Sequence, residues 1–274
     1  MSGGKLKPNG RIVSVNGHNL HVYAECGFPG GHTLVFMSGA GTFAPVYDFK
    51  PLWSLLARKY NIAVVEKLGY GYSDIADVPR DLDSILEDTR GALSLCGIAP
   101  PYILFPHSMS GLEALYYAGT TDEIAGIVGL DMATPGYYKT GEISTRHLPL
   151  LRTAVNLGIH KLIGVSKNTL TQEEYIQAKL LRNRNAVNVT VLSEAKYLTR
   201  NVDTAQSVGS ANIPTLLFSS NGRQIGKSWV KYQREYAKEV GAKLIELDCG
   251  HYIHSFKAGT IAAEFDGWYQ ENFC

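Results

Sequence analysis

Three short segments hold residue types whose chemistry fits acyl transfer. The first is Phe105-Pro106-His107-Ser108-Met109-Ser110-Gly111-Leu112, which follows an apolar run and opens a helical pattern through Leu115 and Ala118. A serine at a sharp strand-to-helix turn has its hydroxyl pushed clear of the sheet, and the next amides point at whatever binds there. Such a turn needs small residues around it. Relative to GxSxG, Pro106 replaces the first glycine and Ser110 the second, with Gly111 one place later. The alternative reading of Ser108 is a helix-capping serine. The second segment is Asp248-Cys249-Gly250-His251-Tyr252-Ile253-His254. A serine hydroxyl is a poor nucleophile at neutral pH until an imidazole takes its proton, and His251 is placed to supply that base; its other reading is a loop or capping histidine. The third is Ser38-Gly39-Ala40-Gly41. Acyl transfer needs donors aimed at the developing oxyanion, and a glycine-flanked backbone can turn an amide inward without clashes. The amides of Ala40 and Met109 are the expected pair, against a glycine-rich loop with no further role.

Other chemistries fit less well. His251 and His254 share His-x-x-His spacing, but no third ligand clusters nearby, and zinc sites need three or four. The Ser38–Gly41 loop is not a phosphate cradle, since GxxxxGK[ST] and GxGxxG are both absent there; no cofactor is expected. Cys249 sits beside Gly250-His251 without a strained turn to present it as a thiol nucleophile. His107 is read as shaping the turn rather than titrating.

The elements that must position these residues are legible as runs. Ile12–Val15 and Leu20–Tyr23 flank Asn16-Gly17, a dipeptide suited to a hairpin. Thr33–Met37, Ile62–Val65, Tyr102–Phe105, Ile127–Leu130, Thr215–Phe218 and Lys243–Leu247 are near-continuously apolar, as strands covered on both faces are. Helical spacing falls on Asp83–Cys96, Trp229–Val240 and Thr260–Tyr269. Strands alternating with helices predict a mostly parallel sheet with helices on both faces. Between Pro135 and Asn212 no strand pattern occurs, and Ser144–Leu157 and Gln172–Leu181 read as helices. That excursion predicts a helical cap at 135–212 over the sheet's carboxyl edge, where ligands bind in open α/β sheets, with the core at 1–134 and 213–274. Tyr137, Tyr138, Leu148 and Leu151 are read equally as pocket lining or cap core.

Composition bounds the class. Of 274 residues 45% are hydrophobic and 19% charged, enough for a large core. Lys plus Arg number 26 against 25 Asp plus Glu, without the basic excess of a nucleic-acid binder. The start, MSGGKLKPNG, lacks the apolar stretch of a signal peptide, and no run approaches the ~20 residues of a membrane span. Cys26, Cys96, Cys249 and Cys274 lie far apart without metal-ligand spacing, as suits a reducing compartment. The expectation is a cytoplasmic protein whose partner is a small-molecule substrate, with neither nucleic acid nor membrane.

In this order, strand–SGAG, VVEKLGYGYSD, strand–PHSMSG and DCGHYIH, the chain resembles the α/β-hydrolase superfamily and its capped serine-hydrolase branch, from Val13 to Phe265. The resemblance implies an eight-stranded sheet, Ser108 as nucleophile, His251 as base and a helical cap between the sixth and seventh strands. Lys67–Asp74 resembles the family's structural GxGxSD loop, and Ser38 stands where many members carry histidine. The acid departs from the pattern. Most relatives carry it after the seventh strand, where this chain reads Phe218-Ser219-Ser220-Asn221-Gly222-Arg223-Gln224, with no Asp or Glu between Asp203 and Glu235. The family's second solution puts it after the sixth strand, which makes Asp131 the expected acid and Asp248 the weaker candidate. The implied activity is cleavage of a carboxylic ester of a small apolar substrate. Amide or aminopeptidase-type hydrolysis and acyl transfer use the same machinery, and a ligand-binding sensor with little turnover is the alternative from another class.

Overall fold

The computed structural model describes residues 5–142, 148–156, 164, 165, 167 and 169–274. Eight strands form one sheet: β1 (Arg11–Val15), β2 (His18–Glu25), β3 (Thr33–Met37), β4 (Asn61–Glu66), β5 (Tyr102–Pro106), β6 (Ile124–Leu130), β7 (Thr215–Ser219) and β8 (Lys243–Glu246). Their order is β1-β2-β4-β3-β5-β6-β7-β8. The pairings β1–β2 and β2–β4 are antiparallel and the rest parallel. The β1–β2 hairpin turns at Asn16 and Gly17, both with positive φ, as the dipeptide predicts.

The apolar runs are continuous because alternate residues feed two cores. From β3, Leu34 and Phe36 enter one cluster with Phe105, Phe218 and Phe265. Val35 and Met37 enter the other with Leu104, Leu115 and Leu217. Fully burying one such side chain contributes roughly 1.5–3 kcal/mol, so both faces hold the sheet. The helices that cover it are α1 (Pro45–Asp48), α2 (Lys50–Leu56), α3 (Leu82–Leu95) and α4 (Ser110–Thr120) before β6. After β6 come α5 (Pro135–Tyr138), α6 (Leu148–Asn156), α7 (Gln172–Asn185) and α8 (Val189–Ser207). Then follow α9 (Trp229–Val240), α10 (Ile253–Phe256) and α11 (Ala258–Phe273). Asp81 caps α3, its side chain accepting from Ser84 N at 2.9 Å.

Between β6 and β7 the described residues contain four helices and no strand. Of the expected helix at Ser144–Leu157, residues 148–156 are helical; its first four residues and Leu157 lie outside the described residues, as do the side chains of Leu148 and Leu151. Helix α7 starts on a Thr171–Glu174 capping box, the reciprocal arrangement that satisfies two free amides. Helix α8 seats on the segment after β4 through polar groups: Asn188 donates to Gly69 O, Thr190 to Ala76 O, Ser193 to Val78 O and Asn201 to Arg80 O. No helix among the described residues is long and apolar enough to cross a membrane.

Candidate active site

Ser108 stands between β5 and α4 with φ of 55°, a left-handed conformation that costs a non-glycine residue roughly 1–2 kcal/mol. The neighbouring contacts hold it there. His107 N donates to Met37 O at 3.0 Å and Ala133 N donates to Ser108 O at 2.7 Å. The departures from GxSxG acquire a physical account. Ser110 is fully buried, donates to Met37 O at 2.7 Å and accepts from His107 N at 3.0 Å. It ties the turn to β3 where the usual glycine only leaves room. The requirement for glycine moves to Gly111, where a Cβ would collide with the backbone oxygen of Ala133.

Asp131, at the end of β6, is fully buried and has φ of 49°. Its Oδ2 lies 2.6 Å from His251 Nδ1. Its Oδ1 accepts from Ser220 N at 2.7 Å and from Trp229 Nε1 at 2.6 Å. The position after β7, where the acid is usually found, thus supplies a backbone donor to the carboxylate on β6. A carboxylate facing Nδ1 fixes the proton on that nitrogen and leaves Nε2 as the acceptor. His251 N also donates to Gln224 Oε1 at 2.9 Å, which orients the histidine's backbone. Asp248 is exposed at the carboxylate and accepts from Asn221 Nδ2 at 3.0 Å; it does not meet the imidazole.

Ser108, His251, Gly39, Ala40, Thr42, Gln224 and Tyr252 share one cavity of about 380 Å³. Among the described residues no hydrogen bond joins the Ser108 hydroxyl to His251. Such contacts are often long before substrate arrives and tighten in the complex. The amides of Ala40 and Met109 donate to no protein acceptor among the described residues, so both are open to a ligand.

His107 is buried behind this cavity, its Nε2 donating to His251 O at 3.2 Å and its ring stacked 4.5 Å from that of His251. Burial, with His254 and His251 nearby, holds it well below the usual histidine range, so it stays neutral and braces the His251 backbone. His254 pairs with Asp48 at 3.0 Å, and no cluster of three metal-ligating side chains occurs among the described residues. All four cysteines are free. Tyr137 is fully buried and meets Trp229 edge-on at 4.6 Å, so it is core rather than lining. Tyr138 packs against the Met109 and Leu112 cluster.

Trp229 and the Ser220 amide were not legible as parts of the site. Trp229 opens a recognisable helix, but nothing in the sequence ties it to a residue 98 positions away.

The strand order and the serine turn define an α/β-hydrolase fold. No protein-family model matches the chain. It is 42% identical over 184 residues to the uncharacterized protein YbdG of Bacillus subtilis, a match covering 62% of this chain and 55% of that protein. The chain therefore spans about half the length of that relative. A pimeloyl-[acyl-carrier protein] methyl ester esterase of Xylella fastidiosa is 24% identical over 197 residues, covering 68% of this chain and 74% of the relative. Among solved structures, a haloalkane dehalogenase DbeA loop variant from Bradyrhizobium elkanii superposes with a TM-score of 0.72 at 16% identity, covering 95% and 96% of the two chains.

Proposed function

We propose that the chain is a serine hydrolase that cleaves a carboxylic ester through an acyl-enzyme on Ser108. The observation that carries this is the 2.6 Å contact between His251 Nδ1 and Asp131 Oδ2, on the same cavity as a serine held at positive φ. His251 Nε2 takes the hydroxyl proton as Ser108 Oγ attacks the carbonyl carbon, and the Ala40 and Met109 amides receive the oxyanion. Collapse expels the alkoxide, which takes the proton from His251. Water then repeats the sequence and releases the acid. The methyl ester esterase among the relatives supports ester chemistry. Serine at the nucleophile position argues against the dehalogenase reaction, in which family relatives use aspartate.

Labelling tests this. A fluorophosphonate probe should add one label on the peptide containing Ser108, and Ser108→Ala should abolish it. Labelling that persists in that variant, or that maps elsewhere, would end the reading.

In this reading residues 135–212 act as a cap, and the substrate is apolar. A second cavity of about 470 Å³ shares Thr42 and Tyr252 with the first. It is walled by Phe43, Ala44, Leu170, Ala178 and Phe256. Tyr252 and Phe256 are 41% and 61% exposed, apolar surface that a bound chain would cover. Each buried methylene contributes about 0.8 kcal/mol. In a series of p-nitrophenyl acyl esters, or of esters varied on the alcohol side, kcat/KM should therefore rise roughly two- to fourfold per added carbon until the cavity fills. A flat response in both series would refute an apolar arm.

A further inference from the structure

We infer that Tyr70 is a positioning residue for the oxyanion donors, and that Glu194 on α8 holds it in place. The inference rests on the proposed role of the Ala40 amide. Ala40 lies between two clamped peptide units. Gly39 O accepts from Thr42 Oγ1 at 3.2 Å. A trans peptide points its N–H opposite to its C=O, so this anchor directs the Ala40 N–H the other way. On the far side, Gly41 N donates to Tyr70 Oη at 3.1 Å. Tyr70 Oη in turn donates to Glu194 Oε2. Both peptide planes flanking Ala40 are thereby fixed, the second through a side chain.

Behind Tyr70 lies a buried ionic cluster. Lys67 Nζ donates to Glu194 on α8 and to Glu113 on α4, and its ammonium lies 4.8 Å from the centre of the Tyr70 ring. Lys67, Tyr70, Glu113 and Glu194 are all buried. Burial would lower the Lys67 pKa, but the two carboxylates outweigh it and raise it. The Glu113 carboxyl is pushed up by burial and by Glu194. Buried ion pairs of this kind are weak contributors to net stability, because desolvation offsets the attraction. Their geometry is more telling. Glu113 lies in the first turn of α4, whose N-cap is Met109, and Tyr70 holds the loop that carries Ala40. One cluster therefore ties both expected oxyanion donors together, and it is complete only when α8 is seated.

The test is Tyr70→Phe, which removes the hydroxyl and keeps the ring, with Glu194→Gln as a second variant that keeps an oxygen for Tyr70. Losing one oxyanion donor costs about 10²–10³ in kcat. A misaligned donor should cost less, so Tyr70→Phe is expected to lower kcat on p-nitrophenyl butyrate about 10- to 100-fold, with KM within about threefold. Affinity for an alkyl trifluoromethyl ketone should fall by a similar factor, because Ser108 adds to its carbonyl carbon and leaves an oxyanion in the same place. Glu194→Gln should fall between wild type and Tyr70→Phe on both readouts. Active protein is counted by fluorophosphonate titration, so misfolded material does not enter kcat. A Tyr70→Phe variant with kcat and ketone affinity within twofold of wild type, whatever its melting temperature, overturns the inference alone. A wild-type protein that neither labels at Ser108 nor binds the ketone overturns the hydrolase reading and this inference with it.

Discussion

Asp131→Asn is expected to lower kcat on a p-nitrophenyl ester by about 10²–10⁴ while leaving the fold intact. The hydrogen bonds around the carboxylate dictate the mechanism of the loss. Oδ1 accepts from Ser220 N and Trp229 Nε1. An asparagine must keep its oxygen there, because turning its NH₂ toward two donors would leave three buried donors facing one another. The NH₂ is then forced to face His251 Nδ1. A donor at that point reverses the tautomer, placing the proton on Nε2, and the imidazole can no longer accept from Ser108. The loss should appear in kcat with little change in KM. Asp248→Asn is the control: its carboxylate accepts from Asn221 at the surface, and turnover should stay within about twofold. If Asp131→Asn retains more than a tenth of wild-type kcat, the imidazole takes its orientation from elsewhere.

Much of the scaffold was legible because burial on both faces leaves an unambiguous trace. Strands β3 to β7 read as continuous apolar runs, since successive residues such as Leu34 and Val35 enter different cores. Helix α9 was readable to its ends at Trp229 and Val240. Asp131 was reachable only through the family resemblance, which offers a second acid position after the sixth strand once no acidic residue lies between Asp203 and Glu235. Helix α8 was not legible. Its buried face mixes Val191, Val202 and Ala205 with Thr190, Ser193, Glu194 and Asn201, and the four polar residues hydrogen-bond to the loop after β4. Hydrophobic periodicity is blind to buried positions that dock through polar groups. The same blindness hid the Lys67–Glu113–Glu194 cluster, whose members come from three separate elements. The roles of Trp229 and the Ser220 amide were hidden differently, because each depends on the β6–β7 pairing and on where α9 begins.

Gly39→Ala should cost at least about 10² in kcat, comparable to removing one oxyanion donor. A Cβ at Gly39 would lie 2.6 Å from Ser108 Cβ and 2.9 Å from His107 O, closer than real Cβ atoms approach. One side must move. Ser108 cannot easily, because its turn is pinned by the bonds from His107 N to Met37 O and from Ala133 N to Ser108 O. The His107 ring is wedged among Phe49, His251 and His254. The displacement therefore falls on the 38–41 loop and carries the Ala40 N–H away from the oxyanion, where a shift of about 1 Å can cost on the order of 10²-fold. Ketone affinity should fall with kcat, since both depend on that donor. Fluorophosphonate labelling should slow but persist, because Ser108 and the His251–Asp131 pair are untouched. Gly41→Ala separates collision from strain. Gly41 has φ of 70° and open space around its missing Cβ, so its alanine variant should lose only about 1–2 kcal/mol of stability. Equal losses of kcat in the two variants would mean that the loop's backbone conformation, and not its contact with Ser108, sets the position of the Ala40 amide.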